Sequence, residues 1–473
     1  MSIFNDVIVS FTRRLFKKRT AIMVCLYFCT INSVTSQEDD ILEFLPAVLS
    51  KLSNNTSNIP PNNDQAVNLC FGFDKNDKSN RPMGQLTRPA PLESYIDPNF
   101  GSSITRITNS DAINSGIART MYSTIQAWNA DESKLILWHR EEGHFLYDGT
   151  TYELIERLPI VPADIEQVFW SRGDSNIFIY PNKAVGSLVD IDGGVYRLKG
   201  NELLEYNIAT KFFRVIKDFN SICSAGAGIT GGNDVQMPSY DDDLIGLRCD
   251  DLAFTYRVST EQVTILSGQG LSATAKLYAP QPFPSGDRSY HYDTVRNEFL
   301  ETQTVFFLGR PDEHANVGRL HDASDAYFSV AFNQTTNGAC QNGVGSIVVH
   351  EASSGDCRVL VGQDTGYPYT LSGTHISALA NKNPGWVLAS SVGYGVEGDS
   401  LLEQELYLAN TDESNPQVCR IAHHRSSGQH GQVGYFAEPH PVLSPSGTRV
   451  LFNSDWNDSG QVDVYVIELP SYN

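Results

Sequence analysis

Ser444-Pro-Ser-Gly-Thr-Arg-Val-Leu-Phe452 sets a polar turn directly before a β-rich apolar run, and this pairing recurs along the chain. Pro and Gly punctuate a tight turn, whereas Val, Leu and Phe favour a pleated, buried strand. Asn129-Ala-Asp-Glu-Ser-Lys-Leu-Ile-Leu137 and Ser171-Arg-Gly-Asp-Ser-Asn-Ile-Phe-Ile179 repeat the design. So do Ser239-Tyr-Asp-Asp-Asp-Leu-Ile-Gly-Leu247 and Ala380-Asn-Lys-Asn-Pro-Gly-Trp-Val-Leu388. Asp322 to Val330 is a shortened copy, and Asp293 to Thr302 a weak one. With the first stretch these make seven copies.

Second and third strands follow most copies, as in Phe145–Asp148 with Tyr152–Leu158 and Leu401–Asn410 with Val418–Ala422. Four short strands per unit at this spacing predict an all-β chain folded as a seven-bladed β-propeller. The last unit ends after its third strand, Val462–Leu469. Ile104–Thr108 is placed to supply the fourth, so an N-terminal strand would close the ring and remove its edges.

The propeller is expected over residues 96–473, behind an N-terminal segment and linker over 37–95 that is rich in Asn, Ser and Pro from Lys51 to Asp64. Residues 1–36 read as a cleavable export signal. Arg13, Arg14, Lys17, Lys18 and Arg19 precede a short apolar run, Ala21–Val34, and small residues follow. That run is too short and too broken to span a bilayer comfortably, so no membrane span is expected, with an uncleaved anchor as the plain alternative. Cys25 and Cys29 would leave with the leader, and the other six of the eight cysteines would be free to pair after export. Cys340 with Cys357 is the favoured pair and Cys223 with Cys249 a second, while Cys70 and Cys419 are open. The net charge of −21 argues against nucleic acid as a partner, because phosphate contacts require a surplus of Lys and Arg. A closed propeller needs no partner for stability, so a monomer is expected.

In a propeller the innermost strands all start at one face, so residues far apart in sequence meet there. His314, His375 and His440 each begin an inner strand in three successive units, and His423 and His424 lie in a loop on the same face. Converging imidazoles with Glu438 suit a divalent cation, Zn2+ or Mn2+ first and Ca2+ after them. The plain alternative is hydrogen bonding between blades, which is the reading given to His350. Across the same mouth, Trp138-His-Arg-Glu-Glu-Gly-His144 would bring His139, Arg140 and His144 to the rim. Arg248, Tyr180 and Lys183 hold comparable positions in the next two units. An ordinary solvated loop is the competing account of these residues.

Such a set suits β-elimination from a uronic-acid glycan. The proton removed lies α to a carboxylate, so a metal ion or Arg must neutralise that carboxylate while a base takes the proton. Hydrolysis would need two facing carboxylates, for which Asp234, Glu141 and Glu142 are the only candidates. A noncatalytic propeller that binds a glycan or protein partner remains the main alternative, since one fold hosts many functions.

Several segments resemble a group of secreted propellers similar to the oligogalacturonate lyases and the propeller-type ulvan lyases. They are Gly373-Thr-His-Ile-Ser377, Pro384-Gly-Trp-Val387, Arg420-Ile-Ala-His-His-Arg-Ser426, Glu438-Pro-His-Pro441 with Ser454-Asp-Trp456, and Tyr122-Ser-Thr-Ile-Gln-Ala-Trp-Asn-Ala-Asp131. The resemblance implies a secreted lyase acting on an acidic polysaccharide, ulvan-like or pectin-like. It implies metal-binding roles for His375 and His440, with His424 as a third ligand, and it sets Glu438 where that group has Gln. It makes His139 and Arg248, then Tyr180, the nearest candidates for a catalytic His, Arg and Tyr; the rim positions of Arg140, His144 and Lys183 set these three beside the substrate.

Overall fold

The computed structural model describes residues 67–472 apart from 114, 190–194, 233–235, 267–277, 292–293, 298–302, 305–313, 333–339, 341–342, 369–373, 394 and 396. The expected leader, the stretch 51–64 and Asp234 lie outside the described residues. The fold is an all-β propeller. Helical geometry among the described residues is confined to short 3-10 turns such as Gln363–Thr365 and Gly434–Ala437.

The recurrent turn has one hydrogen-bond geometry in four of the units. In Ser444–Gly447 the Gly447 amide donates to Ser444 O at 2.8 Å, and the Ser444 amide donates across the hairpin to Arg449 O at 3.0 Å. Gly447 has φ 77°, and a Cβ there would meet Leu69 at 2.8 Å, so the site admits only glycine without strain. The Asn129 amide reaches Lys134 O at 3.0 Å and the Ser239 amide reaches Leu244 O at 2.9 Å in the same way.

One copy is displaced from its expected place. The fourth unit turns at Phe283-Pro-Ser-Gly-Asp-Arg288, where the Phe283 amide bonds Arg288 O at 3.0 Å, between strands Gln281–Pro282 and Arg288–His291. The segment at 294–297 is that unit's third strand. Its Pro-Ser-Gly matches residues 445–447 and was the better signal.

Among the described residues, five sheets have four strands and one has five, making six complete blades. The unit expected at Ser239–Leu247 is three-stranded, with Leu244–Cys249, Leu252–Arg257 and Gln262–Leu266. The count of seven complete blades is therefore corrected to six. Where an inner strand would complete this unit, Pro238 makes an isolated bridge to Ile245. Proline lacks the N–H that a longer ladder needs.

In the five-stranded sheet, Ser103–Arg106 pairs antiparallel with Asp463–Glu468, and Ser94–Ile96 adds an outer strand. The described residues before 96 are tied to the propeller. Cys70 is bonded to Cys419, and Arg88 Nη2 reaches Asp463 Oδ2 at 2.6 Å. Disulfides also join Cys223 to Cys249 and Cys340 to Cys357. Apolar cores fill the spaces between neighbouring sheets. Strands such as Trp386–Ser391 and Arg449–Ser454 are buried along their whole length, as expected where sheets are covered on both faces.

Candidate metal centre

The inner strands bring His375, Glu438 and His440 together. Their ligand atoms lie within 4.8 Å of one another, and all three residues are buried. His375 opens the strand His375–Ser377, and His440 precedes Val442–Leu443 in the adjacent sheet. Glu438 Oε2 stands 3.5 Å from His375 Nε2 and 3.8 Å from His440 Nε2. His314 stacks on His375 with ring centroids 4.3 Å apart, and its Nδ1 donates to Thr374 O at 2.6 Å. That bond leaves the lone pair of His314 on Nε2. His314 and His440 hold φ values of 54° and 36°. Left-handed backbone at a side chain with Cβ is strained, and such strain gathers at functional sites.

Electrostatics set the cluster apart from a structural hydrogen-bond network. Burial raises the Glu438 carboxyl above its usual range, a shift partly opposed by His314. Burial, then the neighbouring His375 and Arg119, hold His440 well below the usual imidazole value. His440 Nε2 is buried with no hydrogen-bond partner. Burial disfavours charge on both Glu438 and His440, and two imidazoles beside a carboxylate are the donors that suit a divalent cation such as Zn2+ or Mn2+, so the residues fit one.

A second layer surrounds the cluster. Arg119 is fully buried, and its Nη2 lies 3.1 Å from Glu166 Oε1 and 3.3 Å from His440 Nδ1. Its guanidinium lies beneath the rings of Tyr435 and Phe436, with Cζ 5.2 and 5.6 Å from the centroids. The Tyr435 hydroxyl donates to Glu166 Oε1 at 3.2 Å, and the residue is 40% exposed. Burial and Glu166 raise the Tyr435 phenol above its ordinary value. Exposed Arg140 lies over Phe436 at 4.9 Å. Arg119, Glu166 and Tyr435 were not legible in the sequence. Arg119 lies in a two-residue inner strand, Ala118–Arg119, and no motif marks the 3-10 turn that carries Tyr435.

Other expected residues sit differently. His424 donates from Nε2 to Ser391 O at 3.0 Å and accepts the Ser426 amide on Nδ1 at 3.0 Å. Both nitrogens are thereby used, and no lone pair is left for a metal. His139 is buried instead of standing at the rim, with its Nε2 2.7 Å from the Tyr147 hydroxyl. His144 is buried too and donates to Ile165 O at 2.8 Å. Tyr180 packs within the apolar core between sheets and has no surface exposed to a glycan. Arg248 is half-buried and donates to Asp250 O at 2.9 Å, and Lys183 is exposed. Strand alternation accounts for much of this: at a strand end, neighbouring side chains point to opposite faces.

The sequence matches no protein-family model and no curated protein. The fold is similar to solved oligogalacturonate lyases. One, in complex with manganese, is 17% identical with a TM-score of 0.54, and the match covers 83% of this chain and 99% of that one. Another, from Vibrio parahaemolyticus, is 15% identical with a TM-score of 0.52 and covers 80% and 97%. At such identity the likeness shows the fold alone.

Proposed function

We propose that this protein is a metal-assisted lyase that cleaves a uronate-containing, pectin-like oligosaccharide by β-elimination. The observation that carries the reading is the convergence of His375, Glu438 and His440 beside a buried guanidinium. A divalent cation held by these residues, with His314 Nε2 as a further donor, would supply positive charge to the substrate carboxylate. Arg140, exposed over Phe436, is the rim cation that would orient that carboxylate. Arg119 adds fixed positive charge behind His440, where enolate-like charge would otherwise develop against a carboxylate. Tyr435 stays protonated and would give its proton to the departing glycosidic oxygen, while Glu166, hydrogen-bonded to the same hydroxyl, would take the proton from the carbon α to the carboxylate, so the pair ends with the proton it began with. Galacturonate is favoured because both similar structures are oligogalacturonate lyases; nothing comparable points to ulvan.

We further read the three-stranded sheet as an incomplete seventh blade and Ser103–Arg106 as the strand that closes the ring. Three disulfides accord with export. No helix among the described residues is long and apolar enough to cross a membrane. Incubation with oligogalacturonate tests the function. Ultraviolet absorbance from an unsaturated uronate should rise with Mn2+ or Zn2+ and stop on chelation. No rise on any uronate glycan, with metal bound, would leave the glycan- or protein-binding propeller.

A further inference from the structure

The strand Ala315–Arg319 starts next to His314 and ends at Arg319, on the face opposite the histidines. Five residue steps from His314 to Arg319 at about 3.3 Å each put these two residues roughly 16 Å apart. At that far end three residues from separate units meet. Arg172 comes from the turn joining Phe169–Trp170 to Ile177–Asn182, and Tyr240 from the turn before Leu244–Cys249. Arg172 lies flat on the Tyr240 ring with Cζ 3.8 Å from the centroid, and Arg319 lies 5.4 Å from it.

The donors in this cluster have no acceptors. Arg172 Nε and Nη1, Arg319 Nε and the Tyr240 hydroxyl are all out of solvent and make no hydrogen bond. The nearby carboxylates are committed elsewhere. Asp242 accepts the Ser171 hydroxyl at 2.7 Å and the Arg172 amide at 3.0 Å, and Asp325 accepts the Ser285 amide at 3.1 Å. Among the described residues no ion pair joins either guanidinium to a carboxylate. Burial, and to a smaller extent the neighbouring Arg319, lowers the Arg172 pKa even though Tyr240 and Asp242 oppose the shift. Two like charges with unsatisfied N–H groups are costly to hold together unless an anion bridges them. Each arginine keeps part of its surface exposed, although the donor atoms named above do not.

We propose that Arg172, Arg319 and the Tyr240 hydroxyl bind a small oxyanion of the sulfate or phosphate class, at a site separate from the histidine cluster. Planar guanidinium forks and a hydroxyl match the divergent oxygens of such an ion better than they match a halide. The bound ion ties together turns from the second and third units and the end of a strand in the fifth.

Isothermal titration of the full chain with sodium sulfate and with sodium phosphate, against sodium chloride at equal ionic strength, tests this. One saturable site for the oxyanions and none for chloride is expected. Arg319→Gln should weaken binding about ten-fold or more, the loss expected of one charge-assisted contact. Tyr240→Phe keeps the stacking ring and should weaken it about two- to five-fold by removing one neutral donor. Absence of saturable binding of either oxyanion would overturn the proposal. So would unchanged affinity in Arg319→Gln or, should that variant not fold, in Tyr240→Phe.

Discussion

Nη2 of Arg119 lies 3.3 Å from Nδ1 of His440, and the same nitrogen is 2.8 Å from Met121 O and 3.1 Å from Glu166 Oε1. A guanidinium nitrogen carries two hydrogens, and the two oxygens are the nearer acceptors. His440 is therefore not bound to accept on Nδ1. If its Nε2 donates to a cation, Nδ1 becomes an N–H that faces the guanidinium. Arg119 would then oppose metal binding while, in the proposed elimination, it would favour negative charge in the transition state.

Arg119→Gln separates these two effects. Bound Mn2+ or Zn2+ should be retained or held more tightly, while kcat/KM on oligogalacturonate falls by about 10²- to 10³-fold, the size typical of losing one preorganised electrostatic group. Metal content by atomic emission, read beside the rate, checks both halves. A parallel loss of metal and rate would make Arg119 a support for the cluster only.

Metal removal should also register in stability. A cation bound only by the folded chain adds about 2.7 kcal/mol at one hundred times its dissociation constant. Chelation should lower the melting temperature of the wild type and leave His440→Ala unmoved. Equal chelator sensitivity in His440→Ala would place the cation at some other group.

The repeat was legible because one turn chemistry, Ser, Pro, Asn and Gly before an apolar run, recurs along the chain, and one hydrogen-bond geometry goes with it in four units. It misled at 293–302 because that unit's third strand follows its turn so closely that the wrong hairpin was read, although Pro284-Ser-Gly286 stood nearby. His314, His375 and Glu438–His440 were legible because inner-strand starts converge by symmetry. His139, His144, His424 and Tyr180 share that face in sequence terms. Whether such a side chain points to the mouth or between sheets turns on one residue of register, and that requires the packed neighbours. Arg119 and Tyr435 carried no pattern at all.

Acid should destabilise the protein through its buried histidines. Burial holds His144, His139 and His350 at about 4, against 6.5 for an ordinary imidazole. Between those values the unfolded chain binds more protons, so stability is full above pH 6.5 and falls as pH drops toward 4. Each group should cost about 2 kcal/mol at pH 5. Melting temperatures measured from pH 7 to pH 4 should fall less steeply in His144→Gln, by close to one proton's worth of slope. An unchanged slope would mean that His144 is already protonated in the fold.

The first and last units are clasped by a buried pair. Arg449 Nη2 meets Glu132 Oε2 at 2.8 Å, and Glu132 Oε1 also accepts the Ser446 amide at 2.6 Å. Arg449 is further held over Trp128 at 5.2 Å and Tyr472 at 4.8 Å. Glu132→Gln keeps shape and the amide contact but leaves the guanidinium buried without its counter-charge. Removing one partner of such a pair costs about 3–5 kcal/mol, far more than the intact pair contributes over an apolar substitute. Urea unfolding should show that loss as a lower midpoint with unchanged slope, since the surface exposed on unfolding is the same. If the two ends of the chain close one cooperative ring, the variant unfolds in a single transition. A separate early transition for the last unit would show that the clasp, and not the pairing of Ser103–Arg106 with Asp463–Glu468, holds the ring shut.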